Sequence, residues 1–290
     1  MNILITGAAG FIGSHLADRF HADGHTVAGI DNLLTGRADN FGGDLFVDDI
    51  CDRDVFYGIA NRCKPDLVVH CAASYSNPNY WHRDTNTNVT GTINATIAAL
   101  HHGARLLYFQ TALPPISSYA ISKIAGEQYI AMSGVDHTIF RLANMYGPRN
   151  LSGPIPTFYK RITAGQPCTV VDTARDMVFV DDLVQAVMAA IDRGARGKFD
   201  ICSGVHRPIE DLYWAVASEL GCDEAPGRAT AGADDVKQML LDGTPANSEL
   251  GWEPTVSLES GVAKAVAWYE THGIDRTFTH LTIPERTPAT

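Results

Sequence analysis

The 290-residue chain has no Cys-x-x-Cys pair, no His-Glu-x-x-His, no run of basic residues and no apolar stretch long enough to span a membrane. Each absence removes a class of protein. Its six cysteines (Cys51, Cys63, Cys71, Cys168, Cys202, Cys222) are scattered, mostly through apolar stretches. That reads as buried thiols in a reducing compartment, not a disulfide frame or a zinc site. The eleven histidines, His21, His25, His101 and His102 among them, show no metal-ligand spacing, so no metal is expected. Lys and Arg number 22 against 33 Asp and Glu, a net charge of −11. With no basic cluster to offset this, neither nucleic acid nor an anionic membrane is an expected partner. An anionic ligand must be held by a few local cations. No charged leader or long apolar segment opens the chain, so a cytoplasmic protein is expected. Internal repeats and low-complexity tracts are also missing.

The remaining composition, 45% hydrophobic and 19% charged, suits one large α/β domain or two lobes sharing a core. Apolar strand-like runs lie near 2–6, 26–30, 44–47, 67–70, 105–109, 138–142 and 198–202. Amphipathic helical runs lie near 12–23, 52–63, 85–102, 117–133 and 181–193, with Asp52, Ser117 and Asp181 as candidate N-terminal residues. Such alternation predicts a parallel sheet covered on both faces, with ligands at the carboxyl ends of its strands. After residue 145 prolines and glycines interrupt the pattern, and a regular sheet is expected to return at 176–202.

The strongest local signal spans residues 3–31. The run Ile3-Leu4-Ile5 stops at Thr6-Gly7, glycines follow at Gly7, Gly10 and Gly13, and a helix pattern begins at once. Glycine is needed where a strand-to-helix turn is cramped, where backbone approaches a pyrophosphate and where helix meets sheet. About twenty residues on, a second apolar run ends in Asp31, placed to accept both ribose hydroxyls of an adenosine. A carboxylate there repels a 2′-phosphate, and no Arg or Lys follows until Arg37, which reads as a solvated loop charge. NAD is therefore preferred over NADP.

Tyr119 and Lys123 stand four apart at the start of a helix pattern, on one face, just after the strand at 105–109 and Thr111. A free tyrosine titrates near 10, so a base working near neutrality must fall by roughly 3 pH units, about 4 kcal/mol. One cation about 4 Å away at an effective dielectric of about 20 supplies that amount. Lys123 is thus expected to depress Tyr119, with Thr111 holding the substrate oxygen.

These features resemble the extended short-chain dehydrogenase/reductases, in the NAD-dependent nucleotide-sugar epimerase/dehydratase branch. The resemblance rests on Thr6-Gly7-Ala8-Ala9-Gly10-Phe11-Ile12-Gly13, Asp31-Asn32, Asp49-Ile50, His70-Cys71-Ala72-Ala73, Asn88-Val89-Thr90-Gly91-Thr92, Tyr119 to Lys123, Arg141 to Pro148, Arg175 to Asp182 and Leu250 to Pro254. It implies a Rossmann-type doubly wound parallel sheet with a smaller mixed α/β substrate lobe. The NAD-binding part would take 1–147 and 176–202, and the substrate lobe 148–175 and 203–290. Asp49 and Ile50 would meet the adenine, and Ala72 and Ala73 the middle of the cofactor. Lys123 would also bind the nicotinamide ribose, and Asn88 would support a proton relay. Phe11, Ile12, Asn32, Thr35, Gly36 and Leu142 complete the implied cofactor contacts. Asn144 and Arg175 would hold the diphosphate of a nucleotide sugar, a UDP-sugar foremost. Arg175 suits that role independently as a bidentate cation, although an ion pair with Asp172 or Asp176 is the plain alternative. Relatives also imply a homodimer, and Ile93, Ile97, Leu100, Ile121, Ile124 and Ile130 exceed what one buried stripe needs.

The chain departs from the family at two places. Between Thr111 and Tyr119 it is roughly fifteen residues shorter than the family pattern, which has a substrate-covering loop there. Eight residue steps still reach about 26 Å, so the two side chains can meet. A gap between Leu113 and Pro114 is expected, where a covering loop would lie; the alternative is a true deletion, with the two residues bonded and the site open to solvent above Tyr119. Near Gly232–Asp235 the second diphosphate-binding arginine of relatives is missing, and Arg228 and Lys237 are the nearest cations. Ala112-Leu113 stands where sugar 4,6-dehydratases carry an Asp-Glu pair, and cannot transfer protons. The first expectation is a nucleotide-sugar 4-epimerase, in which Tyr119 takes the C4 hydroxyl proton, hydride passes to NAD and returns to the other face. A nucleotide-sugar dehydrogenase, ketoreductase or dehydratase is the alternative, and a non-catalytic NAD-binding protein comes after these.

Overall fold

A computed structural model describes residues 1–231 and 241–279. Its first half alternates β1 (Asn2–Thr6), α1 (Phe11–Ala22), β2 (Thr26–Asp31), β3 (Asp44–Val47), α2 (Arg53–Cys63) and β4 (Leu67–His70). A helix then runs from α3 (Trp81–Thr85) through a π-helical segment, Asn86–Gly91, into α4 (Thr92–His102). β5 (Arg105–Thr111), α5 (Ser118–Ser133) and β6 (His137–Leu142) follow. Shorter pieces come next: β7 (Asn144–Tyr146), α6 (Pro154–Thr163), β8 (Thr169–Val171), β9 (Ala174–Phe179) and α7 (Val180–Asp192). The described chain closes with β10 (Gly197–Ile201), β11 (His206–Pro208), α8 (Ile209–Glu219), β12 (Gly227–Ala229), α9 (Thr244–Leu250) and α10 (Leu258–His272).

Seven strands form one parallel sheet in the order β10-β6-β5-β4-β1-β2-β3. Side chains alternate between its two faces. Ile3, Ile5, Val69, Leu107 and Phe140 join α1 and α7 in one core. Leu4, Val68, Leu106 and Ile139, each one residue away, join α2, α4 and α5 in another. Burial on both faces explains why these strands read as continuous apolar runs. The strand order reverses beside β1, where Thr6 pairs with Ile30 on one side and His70 on the other. A crevice opens at such a switch point.

A third core holds Tyr146, Phe158, Phe179, Tyr213, Val262 and Tyr269, between α6, α8, α10 and a small mixed sheet ordered β11-β9-β7. This is the smaller lobe.

Several expectations change. The helix expected at 85–102 begins at Trp81. Residues 176–179 lie in the small sheet through β9, as does Asn144–Tyr146, so the large sheet resumes only at β10. Ala246, Leu250 and Trp252, expected in the substrate lobe, pack into the first core. There the Trp252 indole donates to the Asp182 carbonyl at 2.8 Å. Asp181 stands in the first turn of α7 as expected, though without a capping hydrogen bond, and neighbouring Asp182 accepts from the backbone of Thr255 and Val256, each at 3.1 Å. No gap separates Leu113 from Pro114. The bond is an ordinary trans peptide, Leu113 N donates to Thr111 Oγ1 at 3.2 Å, and Ile116 N donates to Pro114 O at 2.7 Å.

Candidate functional site

The carboxyl ends of β1, β2, β4, β5 and β6 border one cleft of about 350 Å³. At its floor Gly7 adopts φ +66°, and a Cβ there would lie 2.7 Å from the Ala72 amide nitrogen. Gly10 N donates to Gly7 O at 3.1 Å, tightening the turn, and a Cβ on Gly13 would strike the same carbonyl. Bare backbone therefore forms the floor, with the positive end of α1 turned toward it. This cradle fits a diphosphate.

Asp31 ends β2, almost wholly buried. Its Oδ2 accepts from Ala9 N at 3.0 Å and its Oδ1 from Leu33 N at 2.8 Å. Burial pushes its carboxyl up, while the amides of Leu33, Ala9 and Gly10 pull it down. Arg37 is paired with Asp39 at 2.8 Å and donates to the His272 carbonyl at 3.1 Å, so its charge is engaged away from Asp31.

At the other end Thr111 closes β5, and Ser117 caps α5 by accepting from Ala120 N at 3.2 Å. That cap starts the helix one turn before Lys123. The Thr111 hydroxyl is hydrogen-bonded to the Tyr119 phenol, and the Tyr75 ring meets Tyr119 edge-on at 6.3 Å between centroids. Lys123 is 2% exposed, its ammonium 3.9 Å from the Tyr108 ring centroid. Burial pushes the Tyr119 phenol up, Tyr75 adds to this, and Thr111 opposes it. Burial also pulls Lys123 down to about 7, against the pull of Cys71 and Glu127. The expected depression of Tyr119 by Lys123 is thus not what the protein's own groups produce. Desolvation penalises the charged form of each.

Beneath the cleft a hydrogen-bond chain fixes the strand ends. Ala72 N donates to Thr6 Oγ1 at 3.1 Å, and Thr6 Oγ1 lies 2.7 Å from His70 Nδ1. His70 Nε2 lies 2.9 Å from Thr92 Oγ1, which donates to the Asn88 carbonyl at 2.7 Å. Thr92 must then accept from His70, so the imidazole carries its proton on Nε2 and is neutral, with burial holding it down to about 3.

The cleft brings together Gly7, Gly10, Phe11, Ile12, Gly13, Asp31, Asn32, Thr35, Ile50, Ala72, Ala73, Thr111, Tyr119, Lys123, Leu142, Asn144 and Arg175. Three expected residues do not line it. Gly36 packs behind the turn, where a Cβ would sit 2.8 Å from Ala9 C. Asp49 accepts from Asn32 Nδ2 at 3.2 Å and Cys51 N at 2.9 Å, and Asp48, one residue earlier, is on the wall. Asn88, fully buried in the π-helical segment, accepts from Ser74 N at 2.8 Å and donates to Ser122 Oγ at 2.9 Å. It braces the wall from behind.

Arg175 and Asn144 face the cleft from the small sheet. Asp176, one of the two expected ion-pair alternatives for Arg175, accepts from Ser203 N at 2.8 Å and Gly204 N at 2.9 Å. Arg228 pairs with Glu210 at 2.8 Å, and Gly232–Asp235 with Lys237 lie outside the described residues. The sequence reading missed Tyr75, Arg83, Met145, Ser152 and Thr279 on the lining. Tyr75, two residues after Ala73, could have been found by following the strand end onward. All six cysteines are free thiols, and burial raises the Cys51 thiol to about 12. Among the described residues no group of three or more side chains is arranged to hold a metal, and no helix is long and apolar enough to cross a membrane.

Comparison with known proteins agrees with this geometry. Residues 3–202 match the NAD dependent epimerase/dehydratase family, and the chain belongs to it. A UDP-glucose 4-epimerase of Mycolicibacterium smegmatis is 34% identical, over 93% of this chain and 98% of that protein. UDP-glucuronic acid decarboxylase 1 of Xenopus tropicalis is 27% identical, over 99% of this chain and 76% of that protein. The crystal structure of Bordetella bronchiseptica WbmG in complex with NAD and UDP superposes with a TM-score of 0.86 at 36% identity, covering 98% and 99% of the two chains. This chain is therefore an enzyme of an NAD-dependent, nucleotide-sugar-processing family.

Proposed function

We propose that the chain is a nucleotide-sugar 4-epimerase acting on a UDP-sugar and working as a homodimer. The turn at Gly7, Gly10 and Gly13 would hold the NAD diphosphate and Asp31 the adenosine ribose. Lys123 would hold the nicotinamide ribose, and Asn144 with Arg175 the UDP diphosphate. When bound, NAD supplies reversible oxidation at C4 and a positive ring charge that offsets burial of the Tyr119 phenolate. Tyr119 removes and returns the C4 hydroxyl proton, and Thr111 orients that oxygen against the phenol. One observation carries the reading. The carboxylates on the described lining are Asp31 and Asp48, both at the adenosine end, and Ala112-Leu113 follows Thr111. The reacting end is thus equipped for proton transfer at one oxygen and not for acid–base elimination.

The test identifies the nucleotide and cofactor released on denaturation by mass spectrometry, then assays sugars of that nucleotide. Tyr119→Phe should lower turnover at least about 100-fold while NAD stays bound. Undiminished turnover in that variant removes Tyr119 as the base. The short bonded passage from Thr111 to Ser117 favours a second reading, a net dehydrogenase or ketoreductase. It leaves Pro114, Pro115 and Ile116 exposed beside the site, and water entry would promote release of a keto product. Stoichiometric accumulation of reduced cofactor with a nucleotide sugar selects the dehydrogenase over epimerisation, and stoichiometric consumption of added NADH with a keto sugar selects the ketoreductase.

A further inference from the structure

The stretch that follows α10 does not leave the molecule. Gly273 turns it with φ +73°, and it is then bonded alternately to the two sides of the cleft. From the cofactor side, Arg37 donates to the His272 carbonyl at 3.1 Å. From the small lobe, Lys160 on α6 donates to the Asp275 carbonyl at 2.5 Å. Arg276 returns to the cofactor side, donating to the Leu34 carbonyl at 2.8 Å, in the loop that carries Asn32 and Thr35. Phe278 then pairs with the small lobe as a strand bridge to Ser152. Its amide donates to Leu151 O at 2.9 Å, and its carbonyl accepts from Ser152 Oγ at 3.1 Å. Thr279 reaches the cleft lining itself.

We infer that residues 272–279 form a strap across the cleft, and that Arg276 and Phe278 are positioning residues that retain bound NAD. Leu34 and Ser152 both line the cleft, one near Asp31 and the other beside Asn150 and Pro154. A segment pinned to both must part from one of them before a dinucleotide stretched between can leave. The proposal rests on the epimerase reading in one respect. An enzyme that returns hydride to the same carbon has no need to exchange its cofactor, and gains from holding it.

Arg276→Ala with Phe278→Pro removes the bond to Leu34 and the amide donor to Leu151. Two such bonds predict a release rate for NAD about tenfold faster, with association changed far less. Release is read by stopped-flow displacement with excess fluorescent NAD analogue. Turnover of the double variant should fall on dilution and return when excess NAD is added, whereas wild type is insensitive. Arg276→Lys, which keeps a donor, should behave as wild type. In unaltered protein, hydrogen exchange at the Phe278 amide should slow when NAD is bound. Wild-type release rates in the double variant, or exchange at Phe278 indifferent to NAD, overturn the strap. Failure of the epimerase reading shows separately, as wild type that binds NAD yet does not interconvert sugars.

Discussion

Lys123 sits in the helix where an ammonium is costly. Its spacing from Tyr119 was legible, because four residues on a helix place two side chains on one face. The direction of its charge balance was not, since that depends on burial by Tyr108, Cys71 and the cleft wall. With a folded value near 7 against an ordinary 10.5, the folded chain binds fewer protons than the unfolded chain between those limits. Stability therefore rises with pH across that window, and the full penalty is present below about 7. Lys123→Met removes the buried charge. In the NAD-free protein at pH 6.5 it should raise stability by about 1–3 kcal/mol and Tm by several degrees, while abolishing turnover. Calorimetry at pH 6.5 and 9 checks this. The variant's advantage should shrink at the higher pH, and an advantage absent at pH 6.5 would mean that Tyr108 and Glu127 already compensate the ammonium.

Among the elements, the seven strands of the large sheet were readable to within two residues, because burial on both faces leaves uninterrupted apolar runs. The strands of the small sheet were not. β7, β9 and β11 exist by pairing Tyr146 with Phe179 and His206 with Asp176, partners far apart in the chain. Nor does any periodicity announce the π-helical segment, which shifts Asn88 off the cleft and under Ser74. His70 couples that segment to β1 and β4. Its value near 3 lies below the ordinary 6.5, so the folded chain gains stability above about 6.5 that is lost as pH falls toward 3. His70→Leu leaves Thr6 and Thr92 short of a partner and should cost about 2–4 kcal/mol at pH 7. It should also reduce the stability lost between pH 7 and pH 4 by on the order of 2 kcal/mol. Urea midpoints at the two pH values decide; an unaltered acid slope would place the acid sensitivity elsewhere.

For the molecule as a whole, the sequence showed which helices have apolar residues to spare but not which of those residues the protomer itself consumes. Ile130 is buried in the core beneath α5, and Ile93 and Ile124 are half-buried, so these three leave the surplus. The strap was illegible for a related reason: it is held by side chains reaching backbone carbonyls and by a backbone bridge at Phe278, which leave no pattern in residue type. Ile97 (44% exposed) and Leu100 (45%) remain on α4, with Ile121 (54%), Tyr129 (43%) and Met132 (78%) on neighbouring α5. On α5 these fall eight and three residues apart, one stripe along one face. A stable dimer hides about 800 Å² per partner around such apolar anchors, and two adjoining helices offer a surface of that order. The proposed homodimer would therefore place α4 and α5 of one protomer against those of its partner. Ile97→Glu with Ile121→Glu puts charge at both anchors and should yield monomers by light scattering at micromolar concentration, with NAD still bound. A dimer that survives the double change would move the interface to another face, and a wild-type monomer would leave the stripe without that role.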